Sequence, residues 1–257
     1  MSAVLRIVRQ VGYSTRALFG WMNPIDYAIL LLVDPGFQLY LFVIVGRFGP
    51  ETQEFYLVGN SVRLMSVGAI FGATSVIVNE RTQGTLTTLL ATPTRLPETF
   101  WARSLFQSVS GLLTGVFCLV FGSSVFDVDT SNLSVPWVGV GLLAVVFSLA
   151  GFGLLLANLS LVGTDTTIVL NLASYGLILL SGANIAPEDL PGGLEYVSRL
   201  LPMTNGLQVV RAGFAGEADY ACLAWELIVG LGYTVLGFSV FAVAETRARK
   251  TGKLELV

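Results

Sequence analysis

The stretch WVGVGLLAVVFSLAGFGLLLANL, from Trp137 to Leu159, carries no charged side chain. A helix needs about 20 mainly apolar residues to cross about 30 Å of hydrocarbon, and this stretch is long enough to do so. Five further apolar stretches complete a prediction of six transmembrane helices: Tyr27 to Val45, Phe55 to Val78, Ala102 to Gly122, Thr167 to Ala183 and Leu223 to Ala244. The predicted fold class is an all-α integral membrane protein.

The composition supports this prediction. The chain has 257 residues, of which 54% are hydrophobic and 12% are charged. A soluble domain has roughly a quarter charged residues, so a soluble globular domain is excluded. We interpret residues 1–257 as a single transmembrane domain, with a cytoplasmic interfacial helix at 1–24, a six-span core at 25–244 and a cytoplasmic tail at 245–257. Gly68 with Gly72, and Gly111 with Gly115, have the spacing of close helix packing.

Several classes of function are disfavoured by composition. The net charge of −3 is too small to indicate a nucleic-acid partner. The chain has no histidine, which removes imidazole ligands, imidazole bases and histidine-dependent intramembrane proteases. Cys118 and Cys222 are isolated and form neither a disulfide framework nor a metal site, so no metal is expected. The N-terminus lacks a signal-peptide core, and no cleaved leader is expected.

Lysine and arginine predict the orientation in the membrane. Ten of the 14 basic residues fall in the N-terminal tail, the second connection and the C-terminal tail: Arg6, Arg9, Arg16, Arg81, Arg95, Arg103, Arg247, Arg249, Lys250 and Lys253. A multi-pass protein of the cell (plasma or inner) membrane with both termini in the cytoplasm is therefore predicted. Val4 to Phe19 mixes arginines with apolar residues in a pattern typical of a short interfacial helix.

Two charged positions need an explanation. Asp34 before Pro35 marks either a break within the first span or the inner interface, with the span then starting at Pro35. Arg63 lies in the second apolar stretch, about 25 Å above Glu80 at 1.5 Å per residue. We expect its side chain to extend to the outer interface.

The segment after the second span, NERTQGTLTTLLATP from Asn79 to Pro93, has a pattern of its own. Gly84 and Thr85 suit a helix start, three leucines fall on one face, and Pro93 ends the helix. A short amphipathic helix at the cytoplasmic surface is predicted. By pattern alone it is either a docking element or an interfacial helix.

The motif Glu-Arg-x-x-Gly-Thr-Leu-x-x-Leu-Leu-x-x-Pro resembles the signature of type-2 ABC transporter permeases, the membrane subunits of one class of ATP-driven exporter. The resemblance extends over nearly the whole chain. SGANIAPEDLP from Ser181 to Pro191, LPMTNGL from Leu201 to Leu207, and Arg211 are similar to the external helical hairpin that this family has between its fifth and sixth helices. The family often has an acidic residue directly after Gly-Thr-Leu, where this chain has Thr87.

The resemblance implies a coupling helix that docks on a separate ATPase subunit. The residues that match it are Glu80, Arg81, Gly84, Thr85, Leu86, Leu89, Leu90 and Pro93. Alternatively, the leucines bury only against the chain's own interfacial helix. The chain has no phosphate-binding loop, since Thr251-Gly252-Lys253 is only a fragment of one. ATP and Mg²⁺ would then be bound by the partner subunit, with no cofactor in this chain and no enzyme activity of its own. A second permease copy, identical or related, would complete the pathway.

Polar residues within the spans are candidates for contact with cargo. Asn158 and Asn171 are the predicted pathway residues. Asn60, Asn184 and Glu226 lie near predicted span ends, where water would satisfy them, and interhelical hydrogen bonds are the alternative for all the asparagines. The predicted external gate consists of Pro187, Leu194, Val197, Leu201 and Pro202.

The predicted gate has two possible roles. Leu194, Val197 and Leu201 are expected on one helical face, which either dips into the outer leaflet or packs as a lid. The expected function is export of a hydrophobic or amphiphilic substrate from the cytoplasm or inner leaflet. The rivals are an ATP-independent carrier, a structural membrane subunit and a membrane enzyme. The enzyme is disfavoured because Asp34 and Asp165 lack the motifs of an intramembrane aspartyl protease.

Overall fold

The computed structural model describes residues 29–82, 96–161 and 166–251, and no β-strand occurs among them. A π-helical turn, Ile29–Val33, leads into α1 (Asp34–Gly46). The next four helices are α2 (Gln53–Thr82), α3 (Leu96–Val125), α4 (Val135–Leu161) and α5 (Thr166–Leu180). The 3₁₀ turns Pro187–Asp189 and Pro191–Gly193 then precede α6 (Leu194–Leu200), α7 (Thr204–Phe214) and α8 (Tyr220–Thr251). The prediction of an all-α protein is confirmed.

Four helices contain segments that are long and apolar enough to cross a membrane: Gln53–Gly72, Ser108–Val125, Val135–Asn158 and Tyr220–Val243. They lie in α2, α3, α4 and α8 and correspond to four of the six predicted spans. Two shorter apolar helices, Leu31–Gly46 and Thr167–Leu180, correspond to the predicted first and fifth spans. The count of six spans stays a prediction.

The Asp34-Pro35 pair lies in the first turn of α1. Helical structure continues on both sides of Asp34, and the helix type changes there from π to α. The choice between a break in the first span and a position at the inner interface stays a prediction. Pro35 is tolerated in the first turn of a helix because its missing N–H has no acceptor there in any case. The Asp34 carboxylate accepts a hydrogen bond from Gln38 Nε2 at 2.9 Å.

α2 lies at the centre of the bundle, with α1, α3, α4 and α7 packed around it. Its contact with α3 is close because both helices carry glycine where they cross. A Cβ atom added to Gly111 would lie 2.5 Å from the carbonyl oxygen of Met65, and one added to Gly68 would lie 3.4 Å from the Gly111 Cα. The predicted role of these glycines in close packing is confirmed.

α4 lies between α2 and α8, and small residues again set the distance. A Cβ atom on Gly151 of α4 would lie 2.5 Å from Thr234 Oγ1 of α8. One end of the bundle gathers the α1–α2 and α3–α4 connections together with residues 181–219. Two hydrogen bonds join these parts: Ser134 N–H donates to the Gly213 carbonyl at 2.8 Å, and Arg211 Nη2 to the Phe55 carbonyl at 3.3 Å. We call this end the hairpin end.

Candidate functional site

The predicted coupling helix lies mostly outside the described residues, as does the predicted interfacial helix at 1–24. Glu80 and Arg81 belong to the last turns of α2, while Gly84, Thr85, Leu86, Leu89, Leu90 and Pro93 fall in the undescribed segment 83–95. α2 itself runs to Thr82, past the apolar stretch that ends at Val78. One continuous helix therefore leads from the hairpin end to the predicted coupling segment, which stays a prediction.

The predicted gate residues lie at the hairpin end. Pro187 and Pro202 are buried, and Leu194 and Val197 are exposed on α6. Leu201 falls one residue beyond α6, in extended conformation, and packs against the core. The expectation that Leu194, Val197 and Leu201 share one helical face is therefore wrong, because the helix ends before the third residue.

A cavity of about 410 Å³ opens at the hairpin end between α6 and the start of α8. Its walls are mainly apolar, with Tyr196, Leu200 and Trp225 among the lining residues. Arg199 lines it too, and its guanidinium pairs with Glu195 at 2.9 Å and Glu188 at 3.5 Å. The cavity therefore combines mainly apolar walls with a charged group at its edge.

Glu226 of α8 is the most enclosed charged residue of the described chain, with no exposed surface. One oxygen, Oε1, accepts hydrogen bonds from the Met203 N–H at 2.8 Å and from the Ser148 hydroxyl. The other, Oε2, accepts the Gly206 N–H at 2.9 Å. The expectation that water satisfies Glu226 near a span end is wrong, because α4 and α7 enclose it.

The reason for this arrangement lies in α7. The first N–H groups of a helix have no partner within it, and Met203, which precedes α7 with φ +70°, gives no side-chain cap. The Glu226 carboxylate supplies the missing acceptors and places negative charge at the positive end of the helix dipole. α8 thus holds α7 from inside the bundle.

Arg211 holds the other end of α7. Nη2 donates to the carbonyls of Gly182 at 2.8 Å and Phe55 at 3.3 Å, and the guanidinium lies 3.5 Å from the centre of the Phe55 ring. Burial lowers the pKa of Arg211 to about 9, and the carboxylates of Glu51, Glu188 and Glu54 oppose this shift. Arg211 therefore stays charged at neutral pH and ties α7 to α2 and to the segment after α5.

Arg63 of α2 is buried as well, with 6% of its surface exposed. It lies about 15 Å along α2 from Gln53, where that helix begins. Nη2 donates to Gln38 Oε1 at 3.2 Å, and the guanidinium lies 4.5 Å from the Phe42 ring centre, both on α1. The expectation that Arg63 extends to the outer interface is therefore wrong, because its side chain points at the neighbouring helix.

The asparagines differ in their surroundings. Asn60 is fully buried and donates to Oδ1 of the half-buried Asn184 at 3.0 Å, so water does not satisfy Asn60 in the way expected. Asn158 is buried between α4 and α8, where Nδ2 donates to the Gly237 carbonyl at 2.9 Å. Asn171 lies on an exposed face of α5. Contact of Asn158 and Asn171 with cargo stays a prediction.

The sequence did not predict the hydrogen-bond partners of Glu226 and Arg211. Each is a lone charge in or beside an apolar run, which is the signal that marks them. Their partners are backbone groups of segments distant in sequence, and only the fold brings them together.

A family model described as ABC-2 type transporter matches residues 21–215. Among curated proteins, no match was found. The family match covers most of the chain, and the chain therefore belongs to the ABC-2 type transporter family, whose members are membrane transport permeases. Together with the apolar helices, this makes it a multi-pass membrane protein.

Proposed function

We propose that this ABC-2 type transporter is the permease subunit of an ABC exporter. It moves a hydrophobic or amphiphilic substrate out of the cytoplasm or inner leaflet, with ATP hydrolysed by a separate nucleotide-binding subunit that binds ATP and Mg²⁺. The observation that carries the proposal is the family match over residues 21–215, which extends across the predicted coupling segment.

The proposed topology has six spans with both termini in the cytoplasm. α1 and α5 supply the first and fifth spans, and the hairpin end faces outward. The charge asymmetry of the connections supports this orientation. α2 supports the mechanism, since a rigid helix that joins the coupling segment to the bundle transmits movement of the ATPase to the membrane helices.

The proposed assembly has two permease copies on two ATPase subunits. The exposed face of α5 supports a second copy. Ile168, Leu172, Tyr175 and Leu179 are all exposed along it, and Asn171 lies among them. An asparagine that faces hydrocarbon lacks hydrogen-bond partners, and an interhelical contact would supply them.

The proposed exit lies at the hairpin end. Pro187, Leu194, Val197, Leu201 and Pro202 border it, and the α6–α8 cavity supports release of an amphiphile into the outer leaflet. Because Glu226 and Arg211 fix α7 at both ends, we place the moving part of the gate in α6 and the turns before it.

The test begins with purification of the tagged chain from its native membrane in mild detergent. Mass spectrometry of the eluate should identify a stoichiometric partner with a phosphate-binding loop, and the eluate should hydrolyse ATP. Leu89→Asp with Leu90→Asp should abolish partner binding and hydrolysis while membrane insertion stays normal, because two charges would occupy the apolar docking face.

The matched control places the same charges on the other side of the predicted helix, as Thr87→Asp with Thr88→Asp. This variant should retain the partner, since the family itself often has an acidic residue at the Thr87 position. If the chain is recovered alone in several detergents and after crosslinking in intact membranes, the alternative of an ATP-independent carrier or structural subunit replaces the proposal.

A further inference from the structure

Arg63 differs from Glu226 and Arg211 because, among the described residues, neither an opposite charge nor a backbone hydrogen bond compensates its charge. Its Nε and Nη1 atoms have no hydrogen-bond partner, and no carboxylate of the described residues lies within 4.0 Å of the guanidinium. A neutral amide and an aromatic ring are its contacts on α1. Arg211 also has unpaired nitrogens, but three carboxylates act on it. A charge within an apolar helix that no opposite charge offsets is costly, and it marks a functional site.

The polar groups around Arg63 form a row along α1 and α2. Toward the hairpin end, Asn60 lies one turn away on α2 and bonds to Asn184, and its own Oδ1 has no partner. In the other direction, Gln38 accepts from Arg63 and donates to the exposed Asp34 at 2.9 Å. Hydrogen-bonding groups therefore recur from one end of α1 to the hairpin end, with unpaired atoms near the middle.

α1 is the helix that covers this row, and it is held by one narrow stripe. Its buried residues are Pro35, Gly36, Leu39, Val43 and Gly46, and large apolar side chains on its other faces are exposed. A small displacement of α1 would open the row without disturbing the contact of α2 with α3. α2 leads from Arg63 to Glu80, about 25 Å along the same helix, so ATPase movement has a direct route to this place.

We propose that Arg63 binds the anionic group of the transported amphiphile when α1 moves away from α2. This inference rests on the proposed function and narrows its substrate class to amphiphiles with a phosphate, sulfate, sulfonate or carboxylate. A guanidinium only donates hydrogen bonds, and its planar fork matches these oxyanions. Charge-assisted bonds formed away from water are strong, and Phe42 and the apolar helix faces accommodate the hydrocarbon part.

The experiment uses the permease with its ATPase partner in vesicles of zwitterionic lipid. The probes are three fluorescent dodecyl chains that end in a sulfonate, a hydroxyl or a trimethylammonium group. Two quantities are measured: the probe concentration that half-maximally stimulates ATP hydrolysis, and ATP-driven movement of the probe between leaflets. Wild-type complex should respond to the sulfonate at a concentration at least about tenfold below that for the alcohol, because a hydrogen bond to a charged group is lost without the anion.

The variants separate anion binding from helix packing. Arg63→Gln should lose the preference for the sulfonate, and Arg63→Lys should keep part of it. Gln38→Ala removes the α1 contact but leaves the charge, so its preference should survive. Arg47→Gln, which alters an exposed arginine of the α1–α2 connection, should behave as wild type.

Several results would overturn the inference. Equal stimulation by the three probes, an unchanged preference in Arg63→Gln, or loss of preference in Gln38→Ala would each show that Arg63 serves packing alone. Stimulation by the sulfonate without its movement would assign Arg63 to a resident anionic lipid instead of cargo. These failures leave the proposed function intact, whereas absence of any ATP hydrolysis by the wild-type complex would refute both.

Discussion

Replacement of Glu226 tests whether α8 holds α7 through the carboxylate. Glu226→Ala removes the acceptors of the Met203 and Gly206 N–H groups, which lie in a buried setting. The Ser148 hydroxyl can instead donate to the Val145 carbonyl, which lies 3.1 Å away, so it is not left unpaired. Each unsatisfied buried donor costs about 1–3 kcal/mol, and two of them give about 2–6 kcal/mol of lost stability.

Glu226→Gln should cost less, by an amount that the geometry fixes. A glutamine oxygen in the place of Oε1 keeps the bonds to Met203 and Ser148. The amide nitrogen then replaces Oε2 and faces the Gly206 N–H, so one donor is lost. We expect about 1–3 kcal/mol for this variant, roughly half the loss in Glu226→Ala.

The assay is unfolding in mixed micelles, followed by tryptophan fluorescence, since Trp225 adjoins the site. Ile228→Ala serves as the control because this neighbouring α8 residue is 57% exposed in the isolated chain. The expected order of stability is wild type, then Glu226→Gln, then Glu226→Ala. If Glu226→Gln equals or exceeds wild type, the argument that α7 needs both carboxylate oxygens is refuted.

Two further predictions concern the bundle and the start of α8. Gly111→Ala should destabilise the protein by about 1–3 kcal/mol in the same assay, because its Cβ would overlap the Met65 carbonyl. The control is Gly139→Ala, which should be neutral or stabilising because no atom lies within 4 Å of the added Cβ. Equal effects of the two substitutions would contradict the packing argument. Asp219 caps α8 by accepting a hydrogen bond from the Cys222 N–H at 2.9 Å, and this bond lowers the pKa of Asp219 below its usual value of 3.8. The stability that the cap provides is therefore fully present above pH 3.8, and it is lost as the pH falls through the lowered pKa. Asp219→Ala should therefore cost about 0.5–2 kcal/mol at pH 7 and progressively less in acid, while Asp219→Asn should keep the cap without this pH dependence; a cost in Asp219→Ala that does not change with pH would refute the assignment.

The sequence was sufficient to predict the long helices because their signal is local. An uncharged run such as Trp137 to Leu159 must be either buried or in lipid on all sides, and its length selects a helix. Glycine spacing likewise predicted the close contact near Gly111, because small residues four positions apart lie on one face of their helix and let a neighbouring helix approach it.

The surroundings of the polar residues were not predictable in the same way. Glu226 lies about 9 Å along α8 from Tyr220, a depth that left access to water open until α7 was seen to cover it. For Arg63, the distance along α2 was estimated correctly, but the direction of its side chain depends on where α1 packs. Leu201 was misplaced because a helix end is set by local backbone geometry that periodicity does not show.

The buried charges suggest how the bundle divides into fixed and moving parts. Glu226 and Arg211 form their hydrogen bonds with backbone groups of α7 and its neighbours. Breaking the hydrogen bonds of either residue would leave its charge unpaired in a low-dielectric setting. That cost opposes motion of α7. Arg63 carries a cost of this kind without such hydrogen bonds, and any movement of α1 that admits an anion would relieve it. The arrangement of satisfied and unsatisfied charges therefore favours displacement of α1 over displacement of α7, in keeping with the proposed binding of an anion at Arg63.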